Sequence, residues 1–139
     1  MKYYLAGPMT GIPQFNYPLF RRVSTGLRRI GYDVYSPAEL DDPKTVAAAL
    51  ASPDGSADDY DSEGKGTWGE FLARDVKLIA DELDAIILLP NWETSKGARL
   101  EAFVSVMVDN PAWTVDILTL NMRRIRPTTI MEKISESIL

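Results

Sequence analysis

Short apolar runs alternate with helix-length amphipathic segments along this chain, and that alternation predicts an α/β fold. Three observations carry it. "YYLA", "YDVYSP", "DAIILL" and "WTVDILTL" are strand-sized. The segments between them repeat apolar residues at helical spacing. Turn residues punctuate the boundaries. Strands separated by helices favour a parallel sheet covered on both faces. At 139 residues and 45% hydrophobic composition the chain is sized for one domain with a real core.

The elements follow in order. "YYLA" (3–6) reads as a buried strand running into the turn-rich loop "GPMTG". "FNYPLFRRVSTGLRRIG" reads as a helix. Asn16 is placed to cap it, Pro18 suits its first turn, and Phe20, Val23, Leu27 and Ile30 form its apolar stripe. "YDVYSP" (32–37) is the second strand, stopped by Pro37. Residues 41–66 carry seven acids, with a short helix at "PKTVAAALA", and read by composition as a mobile acidic loop. "TWGEFLARDVKLIADEL" opens on a capping box of Thr67 and Glu70. "DAIILLP" (84–90) is a fully buried strand, 95–110 a helix, "WTVDILTL" (113–120) a strand, and 128–139 a closing helix after Pro127. "MRRIRP" (122–127) reads as a solvated basic turn. No internal repeat is present.

The simplest strand order for this pattern is flavodoxin-like, a doubly wound sheet in a single domain. That order sets the first strand beside the third. Ligands bind outside the carboxyl ends of the strands, where the winding reverses. "AGPMTG" and "PNWETSKG" therefore converge on one predicted site.

Composition narrows the chemistry. The net charge is -5 and the pI about 4.7, which argues against nucleic-acid polymers and anionic membranes as partners. No stretch has the length of a membrane span and no signal peptide is evident, so a cytoplasmic protein is expected. The chain contains no cysteine and no histidine. Thiol nucleophiles, imidazole bases and Ser-His triads are excluded, leaving carboxylates, Tyr, Lys, Arg, hydroxyls and backbone amides.

Glu101 stands out within the helix at 95–110. It lies about 160° round the helix from Arg99, too far to pair with it. Gly97, Ala98, Val104 and Ser105 surround it instead. Such a carboxylate is a helix-surface glutamate at the domain edge, one paired with an arginine elsewhere, or an anionic nucleophile near a helix N-terminus. Asp75 is either a solvated acid beside Arg74 or a second carboxylate for the same pocket. Two carboxylates flanking an anomeric carbon are a standard means of breaking its bond to a leaving group. Tyr4 ends a buried strand under the first loop, where a tyrosine is ordinarily core with its hydroxyl satisfied by a neighbour. Ser95 caps its helix, or with Gly97 and Ala98 holds a phosphate. Gly7, Pro8, Met9, Thr10 and Gly11 offer further amides and a hydroxyl, with Asn16 close by. Phe15 and Trp92 are either packing residues or surfaces on which a flat base stacks. Lys96 and Arg99 are nearby cations.

Taken together, "YYLAGPMTG", "FLARD" and "LLPNWETSKGARLEAF" resemble the nucleoside 2-deoxyribosyltransferase-like superfamily, in particular its small branch in phage and bacterial genomes. The matching segments span Tyr3 to about Val108. The resemblance implies N-glycosidic bond chemistry on a nucleotide or nucleoside, without metal or cofactor, in a homodimer or larger assembly. By position it makes Glu101 the nucleophile at C1', Tyr4 its positioning residue, and Asp75 the acid that assists base departure. Ser95 falls where the transferases carry an aspartate that reads a free 5'-hydroxyl. Serine there implies a 5'-monophosphate, which an aspartate would repel. The expected activity is hydrolysis of a (deoxy)nucleoside 5'-monophosphate to free base. Base transfer, cleavage of a dinucleotide such as NAD, and non-catalytic nucleotide binding stand as alternatives.

Overall fold

The structure, a computed structural model, describes residues 1–56 and 67–139. Five strands form one sheet: β1 (Lys2–Ala6), β2 (Asp33–Tyr35), β3 (Ala85–Leu88), β4 (Ala112–Val115) and β5 (Met122–Ile125). Their order across the sheet is β2-β1-β3-β4-β5, so β1 and β3 lie at its centre. The first four strands are parallel, with Tyr4 opposite Tyr35 on one side and Ile86 on the other. β5 runs antiparallel to β4. The architecture is α/β and compatible with a Rossmann-like fold.

Helices cover both faces, and the two-residue period of the strands decides what each face receives. Tyr4, Ala6, Ile86 and Leu88 point to one face. There they meet Ile79 of α4 (Trp68–Asp81), Ala98 and Ala102 of α5 (Lys96–Met107), and Ile130 and Ile134 of α6 (Pro127–Ile138). Leu5, Ile87 and Leu89 point to the other, against Phe20, Val23 and Leu27 of α1 (Tyr17–Arg29). Two short helices, α2 (Pro37–Leu40) and α3 (Pro43–Ala51), complete that face with Ala38 and Ala49. Central strands buried on both faces are continuous apolar runs, as "DAIILL" is.

Several expectations need correction. "WTVDILTL" is not one strand. Asp116 accepts the backbone N–H groups of Leu118 and Thr119 at 2.8 and 2.9 Å. That turn folds the chain back on itself. "MRRI" then forms β5 rather than a solvated turn. It tolerates exposed Arg123 and Arg124 because it is an edge strand. Pro37 opens α2 instead of merely stopping β2. Asn16 precedes α1 but makes no capping hydrogen bond, because it lies in the left-handed region at φ 63°. Gln14 and Phe15 before it take φ 58° and 52°, so three consecutive non-glycine residues form a left-handed turn. Residues 41–56 of the acidic stretch are ordered around α3, whose N-terminus Asp42 caps through Thr45 N–H at 2.8 Å. Residues 57–66, the rest of the expected mobile loop, lie outside the described residues.

Candidate functional site

Period and spacing bring three polar side chains to one place. Tyr4 projects from β1 toward the α4–α5 face. Asp75 shares the inward face of α4 with Ile79, one turn on. Glu101 shares the inward face of α5 with Ala98, Ala102 and Ser105. Those small residues let α5 approach the sheet closely. Glu101 is 6% exposed and Asp75 8%. The Tyr4 hydroxyl donates a hydrogen bond to Glu101 Oε2.

Both acids line a cavity of about 480 Å³, with Gly7, Met9, Thr10, Ser95, Gly97 and Ala98 among its walls. It opens beyond the carboxyl ends of β1 and β3. Gly7 is required by close approach. A Cβ on it would lie 2.8 Å from Leu89 Cβ. Ser95 caps α5, accepting Ala98 N–H at 3.2 Å through its hydroxyl oxygen. Its own O–H proton remains to be offered to the cavity. Lys96 lines the cavity, whereas Arg99 turns away and donates to the Glu93 carbonyl at 2.9 Å.

Electrostatics follow from this burial. Neither acid lies in the solvent, so the reading of Asp75 as a solvated acid does not hold. Asp75 is paired: Arg74 Nε donates to it at 2.9 Å, and Arg74 Nη1 to Asp41 at 2.7 Å. Asp41 also accepts from the Tyr17 hydroxyl. Glu101 has no ion pair among the described residues; Tyr4 is its hydrogen-bond donor. One hydrogen bond to a charged group is worth about 1.5–3 kcal/mol. Burying an ion costs several kcal/mol. The bond does not offset the burial, so Glu101 is pushed up to about 8, first by desolvation and then by the charge of Asp75. Asp75 is also raised, chiefly by desolvation, with Arg74 acting against the rise. Tyr4 is raised well above the ordinary phenol range by burial and by the two carboxylates.

Five expected binding residues lie elsewhere. Phe15 is fully buried in the core beneath α1, and Trp92 is buried in the core on the α5 side. Neither wall of the cavity is theirs. Pro8, Gly11 and Asn16 hold the first loop in place from outside the cavity. Asn16 Nδ2 donates to the Pro8 carbonyl at 2.9 Å, and Gly11 N–H donates to Gly55 at 2.7 Å. The flat apolar surfaces that do face the cavity are Trp68 and Phe71, with Leu72 and Pro37. Sequence reasoning missed them. Trp68 opens α4 directly after the Thr67 cap and Phe71 follows one turn later, so both project beside the helix N-terminus. The pairing of Arg74 with the distant Asp41 was likewise hidden.

The fold and the site define an α/β protein with a buried carboxylate pair facing a cavity at its strand ends. The chain belongs to the family described as Domain of unknown function (DUF4406), whose model matches residues 1–63 and 62–111. The three convergent residues fall within the matched span. Neither a curated protein nor a solved structure matches the chain.

Proposed function

We propose that this protein cleaves the N-glycosidic bond of a (deoxy)nucleoside 5'-monophosphate and releases the free base. The observation that carries the reading is the meeting of Glu101 and Asp75 in one cavity, with the Tyr4 hydroxyl on Glu101. The strand order supports a flavodoxin-like fold with its last strand reversed, and the cavity lies where such folds bind ligands.

In this reading ionised Glu101 attacks C1' as the bond to the base nitrogen breaks. The electron pair of that bond leaves with the base, which takes up a proton from solvent water while Asp75 contacts it and assists its departure. Water then adds to C1' of the glycosyl ester, freeing Glu101 and the sugar phosphate. Tyr4 steadies the attacking carboxylate. Trp68 supplies a face for the base. The 5'-phosphate sits at the start of α5, against the Ser95 hydroxyl and the exposed amides, with Lys96 beside it.

The test is incubation with deoxy- and ribonucleoside 5'-monophosphates, the matching nucleosides and NAD, with released base resolved by chromatography. Base is expected from monophosphates. Binding of a monophosphate with no release from any substrate would remove the enzymatic reading. Ser95→Asp refines the test, because aspartate still caps α5 and leaves the helix intact. It is expected to lower turnover of monophosphates by about 100-fold, through repulsion of the phosphate, while sparing nucleosides. An equal fall on both substrate types would place the phosphate elsewhere.

A further inference from the structure

A second cavity, of about 540 Å³, lies between α1 and the turn that joins β4 to β5. It shares no wall residue with the cavity that holds Glu101 and Asp75. α1 gives it Arg21, Arg22, Thr25 and Arg29. Arg22, Thr25 and Arg29 are three and four residues apart, so they share one side of the helix. The turn gives it Ile117, Leu118 and Leu120. Gly26 lets the two walls meet, since a Cβ there would lie 2.5 Å from Leu120 Cδ1. Asp116 pins the turn: its side chain accepts the Leu118 and Thr119 N–H groups, and its carbonyl accepts Leu120 N–H at 2.7 Å.

This groove leaves both charge and apolar surface unanswered. Among the described residues no acid lines it. Arg22 and Arg29 make no ion pair among the described residues. Arg21 acts on Glu39 only through space, because Arg28 already holds that acid at 2.7 Å. Three exposed guanidiniums on one short groove repel one another, in a chain whose net charge is -5, and a bound anion relieves that repulsion. Leu118, on the rim, is 86% exposed.

We propose that this groove is a second binding site, for a compound that carries linked phosphates on an organic body, of the nucleoside di- or triphosphate class. Guanidinium groups grip phosphate oxygens through paired N–H donors. Arg22 and Arg29 are separated by about 10 Å along the helix axis, a span that linked phosphates follow and a lone phosphate does not. The Thr25 hydroxyl lies between them. Ile117, Leu118 and Leu120 face the organic body. The volume falls within the about 300–1,000 Å³ of small-molecule sites. A protein partner ordinarily covers about 20–30 residues a side. This groove is walled by ten. The proposal does not depend on the activity assigned above.

Calorimetric titration of the full chain with inorganic tripolyphosphate tests it. At about 0.1 M salt one tripolyphosphate is expected to bind per chain, in the micromolar range. Arg22→Gln and, separately, Arg29→Gln are expected to weaken it about tenfold with unchanged circular dichroism, since both side chains are exposed. Ser95→Asp, at the other cavity, is expected to leave this affinity at its wild-type value. In that variant a nucleoside triphosphate is expected to displace tripolyphosphate and to bind more tightly, and adding Leu118→Ser is expected to remove the gain. Absence of tripolyphosphate binding overturns the proposal, and a poly-glutamate peptide that binds in its place would make the groove a docking surface for an acidic protein. Binding that both arginine variants retain, or that Ser95→Asp abolishes, also overturns it. So does equal binding of inorganic sulfate at matched ionic strength, or a nucleoside triphosphate that fails to displace tripolyphosphate.

Discussion

Glu101→Gln is expected to lower base release by at least about 1,000-fold, with little change in KM. Glutamine keeps the shape of the side chain and an oxygen for the Tyr4 hydroxyl, so substrate still enters a normal cavity. It loses only the power to attack C1'. The wild-type pH profile follows from the same group. With its carboxyl near 8 in the free protein, about one-tenth of Glu101 is ionised at pH 7. The nucleophile is the ionised form, so kcat/KM is expected to rise about tenfold between pH 7 and 9. Stability moves the other way. Folded Glu101 holds its proton up to about 8, while the unfolded chain releases it near the ordinary 4.5. The contribution to stability is full below about 4.5 and is lost as pH rises toward 8. Glutamine cannot ionise, so at pH 9 the variant is expected to be more stable than wild type by a few kcal/mol in urea unfolding. Equal base release from wild type and variant would remove Glu101 from the chemistry.

Arg74→Met should be the more damaging change to the fold. The guanidinium holds two buried acids at once, Asp75 at 2.9 Å and Asp41 at 2.7 Å. The Asp41 side chain is only 4% exposed. Stranding a buried charge costs about 3–5 kcal/mol, and the 30% exposure of Arg74 trims this to about 2–3 kcal/mol. Without the cation the Asp75 carboxyl rises further, so its protonation relieves part of the strain at low pH. The deficit, measured by urea unfolding, is expected to be largest near pH 8 and to shrink toward pH 5. Adding Asp41→Asn removes one stranded charge and is expected to recover part of the loss. A pH-independent deficit would mean that the side-chain stem, not the charge, supports the fold.

Sequence pattern reached some of these features and not others, for physical reasons. The central strands and α4 and α5 were legible because burial on both sides of β3 and the caps Thr67 and Ser95 are local signals. So was the odd position of Glu101, since helical spacing alone turns it away from Arg99. The end of the sheet was not legible. "WTVDILTL" is apolar enough for one strand, and only the side-chain turn at Asp116 breaks it. "MRRI" looked like a turn because its charge is tolerated only at an edge, and edges are a property of the whole sheet. Phe15 and Trp92 were misplaced for a related reason. Each sits in a loop by sequence, yet a left-handed turn drives the first inward, and a short turn over Trp92–Thr94 buries the second. The Tyr17–Asp41–Arg74–Asp75 chain joins residues up to 58 positions apart in sequence, and no periodicity links them.

The covalent step through Glu101 is the central claim, and it can be observed directly. A nucleoside 5'-monophosphate carrying fluorine at C2' in the arabino configuration destabilises positive charge at C1' and slows release of the sugar from the protein. Mass spectrometry of the intact chain after mixing is expected to show one added fluorosugar phosphate with the base lost. Peptide mapping is expected to place it on Glu101. Base released from natural monophosphates with no adduct from the fluorinated analogue, or an adduct on another residue, would contradict the account.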